Sequence, residues 1–156
     1  MKIACIWNGK TSIDYIERGI NDYLSRLKHY VPIELNILPE VRSVKGLTPA
    51  VQMEQEADMM FKLIRPADYV VLLDEHGREP RSVELATWIE KRQMTSQRLV
   101  FIIGGPFGFS PRMKARANEL MSLSRLTFSH QMVRMIFLEQ LYRACTIIKG
   151  EPYHHE

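Results

Sequence analysis

Hydrophobic and polar positions follow two periods along the chain, and these predict strands and helices in turn. Short apolar runs at residues 2–7, 33–38, 69–73 and 98–103 have the length of buried strands. Between them apolar residues recur every three or four positions, as at Ile16, Ile20 and Leu24, which predicts amphipathic helices. This alternation favours an α/β fold with a mainly parallel sheet and helices on both faces.

Local signals set the ends of these elements. Thr48 and Ser110 each precede a proline, the pairing of N-cap and first-turn residue that starts a helix. Ser82 is predicted to cap a helix that runs to about Met94, and the proline at position 66 to end the preceding helix at Arg65. A polar, basic loop is expected over residues 39–46. Since no linker or repeat interrupts the pattern, we expect a single domain over residues 1–156.

The last helix differs from the others, because apolar residues occupy nearly every face of residues 131–148. A helix that is apolar all round is buried all round. In a domain of this size we expect one flank to pack on a second copy, which predicts a homodimer. Before this helix, residues 121–128 alternate apolar with polar side chains, which predicts a strand or an extended loop.

The stretch most informative about function is residues 99–109, which read LVFIIGGPFGF. An apolar run that ends in glycines is typical of a buried strand leaving a parallel sheet, and ligands bind at that edge. The glycine spacing matches neither the dinucleotide nor the phosphate-loop pattern. The loop therefore suits a flat, mostly uncharged ligand such as an adenosine, with a tight turn that needs positive φ as the structural alternative.

Other candidate residues have a structural and a functional interpretation. Asp74 ends the neighbouring strand and could bind ligand hydroxyls; we favour a turn-capping role and allow the backbone of Leu73 as a ligand contact. Glu139 and Arg143 are spaced for an ion pair, although Arg143 could instead reach an RNA phosphate or base. Tyr153 lies in a terminal segment that could be frayed or could stack on a base.

Composition and charge narrow the class of protein. The formal net charge is +3, and the whole excess follows residue 103, where 7 basic residues face 4 acidic ones. Such a bias beside a ligand loop fits an anionic partner such as RNA, and is equally common on ordinary surfaces.

With no signal peptide or membrane-length segment, we expect a cytoplasmic protein without membrane contact. Cys5 and Cys145 have no metal-site spacing, so we expect both to be buried and no metal to be bound.

Several motifs together resemble one known family. They are Leu73-Asp74 with Gly77 and Ser82, the strand entering Gly104-Gly105-Pro106-Phe107-Gly108, the segment Leu123-Ser124-Arg125-Leu126-Thr127-Phe128, the helix end Leu141-Tyr142-Arg143-Ala144, and the terminal Pro152-Tyr153-His154. In this order and at this length they are similar to the RlmH family (ribosomal RNA large subunit methyltransferase H) of the SPOUT superfamily.

The resemblance implies much that the periodicity does not. It implies a C-terminal trefoil knot, an exception to the rule that chains do not knot, and a homodimer that binds S-adenosylmethionine. The implied reaction is methylation of N3 of a pseudouridine in 23S rRNA, on assembled ribosomes. The implied cofactor contacts are Leu73, Gly104, Leu123, Ser124, Arg125, Leu126, Thr127 and Phe128.

For the chemistry we expect direct methyl transfer to N3 after this atom loses its proton. His154 is the candidate base, Tyr153 would stack on the target base, and Arg143 would hold the developing anion or a phosphate. The alternative from another functional class is a non-catalytic dimeric RNA-binding protein of the same fold. A flavodoxin-like nucleotide-binding protein is disfavoured by the missing phosphate pattern.

Overall fold

The structure is a computed structural model that describes residues 1–41, 45–95 and 97–156. Strands and helices alternate along the chain, as the sequence predicts. In order they are β1 (Ile3–Asn8), α1 (Asp14–Leu27), β2 (Ile33–Leu38), α2 (Pro49–Phe61), β3 (Tyr69–Arg78), α3 (Ser82–Gln93), β4 (Leu99–Ile103), α4 (Pro111–Arg116), β5 (Glu119–Met121) and α5 (Met132–Ile148).

The five strands form one sheet in the order β2-β1-β4-β3-β5, and every neighbouring pair is parallel. β4 lies at the centre, and all five of its residues are buried. β3 pairs with β4 from Tyr69 opposite Leu99 to Leu73 opposite Ile103. The part of β3 that follows Leu73 and the loop after β4 therefore lie side by side at the same edge of the sheet, and this edge carries the candidate ligand site.

Helices cover both faces of the sheet, which confirms the predicted architecture. Alternate strand residues point to opposite faces, so Cys5 and Phe101 pack with α1, α3 and α5 while Ile6 and Val100 pack with α2 and α4. Cys5 and Cys145 are both buried, as expected. Within the residues described, no helix is both long and apolar enough to cross a membrane.

α5 is the central helix of its layer and contacts both α1 and α3. Its innermost side chains, such as Phe137 and Leu141, are fully buried. The prediction that every face is buried holds only in part for one copy of the chain, because Ile136 and other residues of the outer flank are half-buried. This flank is the surface on which the sequence predicts a second copy.

β3 is longer than predicted, since it continues past Leu73 to Arg78. Its pairing with β5 changes register within this extension, where both Leu73 and Arg78 pair with Met121. Gly77 permits the change, because a Cβ there would lie 2.5 Å from the backbone carbonyl carbon of Leu120. A close approach between segments more than 40 residues apart has no local sequence signal.

Two other predicted boundaries differ in the structure, and for residues 121–128 one of the two predicted alternatives is found. The N-cap of α3 is Arg81, whose backbone N–H donates to Glu84 (3.0 Å), and Ser82 instead donates to Gln140 (2.8 Å). α2 ends at Phe61, before the proline-directed end expected at Arg65. Of residues 121–128 only Met121 belongs to a strand, and the rest form an extended loop. Residues 42–44 of the predicted basic loop lie outside the described residues.

At the opposite edge of the sheet, Arg98 holds an ionic network together. Its guanidinium is bound to Asp68 (2.7 Å) and Glu34 (2.9 Å), and only 3% of the Asp68 side chain is exposed. Burial alone would raise the pKa of Asp68, but the hydrogen bonds from Arg98 and the backbone of Arg65 outweigh it and lower this pKa. The ionised form of Asp68 therefore stabilises the fold.

Removing this charge should destabilise the protein in a pH-dependent way. We expect Asp68→Asn to lower the free energy of unfolding at pH 7 by about 3 kcal/mol, because it removes the more buried of the two carboxylates that neutralise Arg98. A carboxylate with a lowered pKa contributes stability above its unfolded pKa of about 3.9 and loses it as the pH falls through the folded value. The difference between variant and wild type should therefore shrink below pH 4 in urea titrations.

The matched control is Asp58→Asn, which removes a carboxylate that is 64% exposed and paired with Arg112. Such a surface pair contributes at most about 1 kcal/mol. A penalty for Asp68→Asn that stays constant down to pH 2.5 would contradict the role given to its charge.

Candidate functional site

A cavity of about 510 Å³ opens at the carboxyl edge of the sheet. Its walls come from residues 73–76 of β3 and from the loops after β4 and β5, with His130 and Val133 beside the start of α5. Seven of the eight predicted cofactor contacts line it: Leu73, Gly104, Leu123, Ser124, Leu126, Thr127 and Phe128. The eighth, Arg125, is outside the lining with a side chain that is 89% exposed and 4.0 Å from Glu79. The structure thus brings together residues that the chain separates by 55 positions.

The glycines after β4 serve two different purposes. Gly108 has φ of +81°, and its N–H donates to Gly105 O (3.1 Å), so it closes a tight turn that Pro106 enters. Gly104 and Gly105 do not have positive φ. A Cβ at Gly104 would lie 3.1 Å from the ring of Phe109. The turn and the close approach proposed from the sequence are therefore both present, at different glycines.

Asp74 both shapes the turn and faces the cavity. Its Oδ1 accepts a hydrogen bond from the backbone N–H of His76 (2.8 Å), which confirms the capping interpretation. The side chain is only 8% exposed, yet Asp74 belongs to the cavity wall. Its Oδ2 accepts no hydrogen bond from the residues that the structure describes. The carboxylate therefore retains an acceptor for a ligand hydroxyl.

The loop after β5 is ordered by its own serines. Ser122 Oγ donates to Ser124 O (2.9 Å), and Ser124 Oγ accepts from Leu126 N (3.0 Å). These bonds turn the chain so that Leu126 stands at the rim with 75% of its surface exposed. Phe107, which also lines the cavity, is 50% exposed. Large apolar groups at the mouth of a cavity are typical of a site that receives a further partner.

The three candidate catalytic residues form a second cluster near the C-terminus. Glu139 accepts from both Arg143 and the Tyr153 hydroxyl (3.1 Å), which confirms the predicted ion pair. Arg143 also lies over the Tyr153 ring, 4.8 Å from its centroid. The tail is held further by Glu151, which accepts from Tyr30 (2.6 Å). The terminal segment is thus folded against α5, not frayed.

This cluster sets the tautomer of the His154 ring and keeps the Tyr153 hydroxyl neutral. Arg143 Nη1 is 3.1 Å from His154 Nδ1. Because a guanidinium can only donate, Nδ1 must be the acceptor, and the hydrogen of a neutral ring lies on the buried Nε2. Burial, followed by hydrogen bonds with Tyr23 and Glu139, raises the pKa of Tyr153, so its hydroxyl stays neutral.

The two parts of the candidate site are apart within one chain. Arg143, Tyr153 and His154 are not among the residues that line the cavity. The stretch of α5 from Val133, in the cavity wall, to Arg143 spans roughly 15 Å at 1.5 Å per residue. A ligand in the cavity of one copy therefore does not touch the cluster of the same copy without movement.

Two buried charged residues near the cavity were missed by the sequence analysis. Glu56 on α2 is 4% exposed, and Arg134 on α5 is 3% exposed. Arg134 donates to Asn8 O (2.7 Å) and Thr11 Oγ1 (2.9 Å), and burial lowers its pKa to about 10. Glu56 lies four positions before Met60, and Arg134 lies four positions before Leu138. This spacing places each charged residue on the apolar face of its helix, and it is the sequence signal that could have identified both as buried.

Comparison with known proteins gives consistent relatives. A family model described as "Predicted SPOUT methyltransferase" matches residues 1–154. The chain is 50% identical to a protein named "Ribosomal RNA large subunit methyltransferase H" from Parabacteroides distasonis, over 100% of both chains. A protein of the same name from Christiangramia forsetii is 46% identical, over 99% of this chain and 98% of the other.

A solved structure is similar in fold. It is the crystal structure of a methylase family protein from Neisseria gonorrhoeae, with a TM-score of 0.54 and 13% identity. The match covers 99% of this chain and 85% of that one.

Glu139 should control the attachment of the C-terminal tail. In Glu139→Ala, Arg143 and Tyr153 lose their shared acceptor, and we expect local opening to become easier by about 2 kcal/mol, or roughly thirtyfold faster amide exchange at Gly150 and Glu151, whose N–H groups donate to Ile147 O and Thr146 O at the base of the tail. Hydrogen exchange with mass spectrometry measures this. The control is Glu90→Ala, which removes an exposed carboxylate of α3. Equal exchange of the tail amides in the two variants would contradict the role of Glu139.

Proposed function

The chain belongs to the SPOUT methyltransferase family, and from this premise we propose that it methylates N3 of a pseudouridine in 23S rRNA with S-adenosylmethionine as the methyl donor. The relatives named for methylation of the large-subunit RNA match the chain from end to end. The observation that carries the proposal is the cavity, where β3 and the loops after β4 and β5 enclose one site without a phosphate-binding pattern. We propose that the substrate is the assembled ribosome in the cytoplasm.

The residues of the cavity fit such a donor. Its volume lies in the range of roughly 300–1,000 Å³ that is usual for small-molecule sites. Gly104 and Gly105 expose backbone in the wall, and Asp74 retains a carboxylate oxygen for a hydroxyl. S-adenosylmethionine carries hydroxyls and an adenine but no phosphate, and when bound it supplies an activated methyl group. Leu73, Gly104 and the loop from Leu123 to Phe128, including Arg125, are the proposed contacts.

We assign the proton chemistry to the C-terminal cluster. His154 takes the N3 proton, which requires Arg143 to leave Nδ1, because that nitrogen holds the free electron pair. Arg143 is then free to hold the anionic ring or a neighbouring phosphate. Tyr153, kept neutral by its raised pKa, stacks on the target base. One movement of Arg143 thus prepares both the base and the anion-binding group.

We further propose that the protein works as a homodimer. The cavity and the cluster lie on different parts of one chain, and the outer flank of α5, which includes Ile136, is only half-buried. Association through this flank would cover it and let the cluster of one copy serve the cavity of the other.

The C-terminal trefoil knot implied by the family stays a prediction. Among the described residues no group of three or more His, Cys, Asp or Glu could hold a metal ion.

The reaction itself is tested by methyl transfer. We expect labelled methyl from S-adenosylmethionine to appear in ribosomes, and mapping to place it on N3 of one pseudouridine, with bare 23S rRNA as the parallel substrate. Calorimetry should show saturable donor binding that Gly104→Leu abolishes, because even a Cβ there meets Phe109. No heat with the wild-type protein, together with retained RNA binding, would favour the non-catalytic RNA-binding alternative.

The base is tested by substitution of His154. We expect His154→Ala to slow methyl transfer on ribosomes by about 100-fold, the usual contribution of a positioned base, without changing donor affinity. The slowed reaction should regain rate as the pH rises, since solvent then removes the N3 proton. His155→Ala is the control, because this neighbour is exposed. Full turnover by His154→Ala would remove His154 from the mechanism.

A further inference from the structure

The carboxyl group of Glu56 is buried against the glycine turn that forms one wall of the cavity. Glu56 lies on α2, next to Ala57 and one helical turn before Met60, both of which belong to the apolar core beneath that helix. The residue is 4% exposed. A position with these neighbours would be expected to hold an apolar side chain.

The contact with the turn is close. A Cβ on Gly105 would lie 2.5 Å from Oε2 and 3.1 Å from Oε1 of Glu56. Real Cβ atoms do not approach other atoms this closely, so the carboxyl occupies the space in which any side chain at position 105 would lie. Gly105 lines the cavity, whereas Glu56 does not. The carboxyl therefore packs against the turn from outside the cavity.

Burial of this carboxyl is costly, and its surroundings offset the cost only in part. Among the described residues no Lys, Arg or His forms an ion pair with Glu56. Burial raises its pKa, and a hydrogen bond with Gln52 opposes this only in part. An unpaired carboxyl in a core destabilises a fold relative to an apolar side chain. Its presence at this position is explained if the turn requires it.

The turn has little other support. Its ends are joined by the hydrogen bond from Gly108 N to Gly105 O (3.1 Å), and its first residue has no side chain to pack. Two glycines around Pro106 and Phe107 leave the backbone free to shift when no group fixes it. Glu56 supplies a rigid surface at Gly105, because its helix is packed on the sheet.

We propose that Glu56 is a positioning residue of the methyl-donor site, whose carboxyl fixes the backbone of Gly105 and so the wall against which the donor binds. The identity of the ligand rests on the proposed function. α2 packs on the sheet face opposite α5 and the C-terminal cluster. The effect of Glu56 should therefore fall on donor binding and not on the groups that move the proton.

Two substitutions of Glu56 separate shape from charge. Glu56→Gln keeps the shape of the side chain and should bind S-adenosylmethionine within about twofold of wild type. Glu56→Ala removes the support, and we expect about tenfold weaker donor binding, the scale at which loss of an outer supporting group is felt. Glu54→Ala, an exposed carboxylate on the same helix, is the control. In steady-state assays the KM for ribosomes should not change in Glu56→Ala.

A double substitution tests the contact itself. Gly105→Ala places a methyl group against the carboxyl and should weaken donor binding more than tenfold. In Glu56→Ala/Gly105→Ala the clash is gone, so the added methyl should cost less than threefold relative to Glu56→Ala. Thermal unfolding identifies any variant that does not fold. Purely additive effects of the two substitutions, or wild-type donor affinity in Glu56→Ala, would overturn the proposal.

The proposal can fail independently of the proposed function. If wild type binds no S-adenosylmethionine, the proposed function fails, and the turn is then read directly from the amide resonances of Gly105 and Gly108. Glu56→Ala should shift both and Glu56→Gln should leave both close to wild type. Unchanged resonances in Glu56→Ala would overturn the positioning role whatever the ligand is.

Discussion

The parallel pairing of β3 with β4 is the interaction on which the candidate site depends. Their register, which ends with Leu73 opposite Ile103, brings Asp74 and Gly104 to the same level of the sheet. Helices cover both faces of the two strands. A shift of either strand by one residue would move each of its side chains to the opposite face of the sheet, so the packing fixes the register. This register determines which residues line the cavity. The pairing of β5 with β3 places the loop after β5 as the third wall.

Charged side chains are buried where loops must be held in place. Arg98 and Asp68 support the amino edge of the sheet, where an ion pair satisfies both groups. At the carboxyl edge, Arg134 ties the loop after β1 to α5 through neutral acceptors, and Glu56 packs against Gly105. Arg134 and Glu56 do not have the oppositely charged partner that Arg98 and Asp68 provide for each other. Buried charges that destabilise the fold in this way are typical of functional sites.

The position of the C-terminal cluster gives α5 two roles. Its inner face is the core of one layer, and its outer flank carries Glu139 and Arg143, which hold Tyr153 and His154. The same contact that folds the tail also occupies the electron pair of His154. In the mechanism proposed above, this hydrogen bond must break before His154 can accept a proton.

The sequence by itself determined what depends on neighbouring positions. The periods of Ile3–Asn8, Ile33–Leu38 and Met132–Ile148, and the caps at Thr48 and Ser110, are local, so the elements and the α/β class were predicted. The motif residues around Gly104 and Leu123 also identified the cavity wall through a family resemblance. Tertiary structure alone decided the strand order, the extension of β3 through Gly77, and the burial of Glu56 against Gly105. Each of these depends on contacts between segments at least 30 residues apart, and no local pattern records which distant backbone will lie against a given residue.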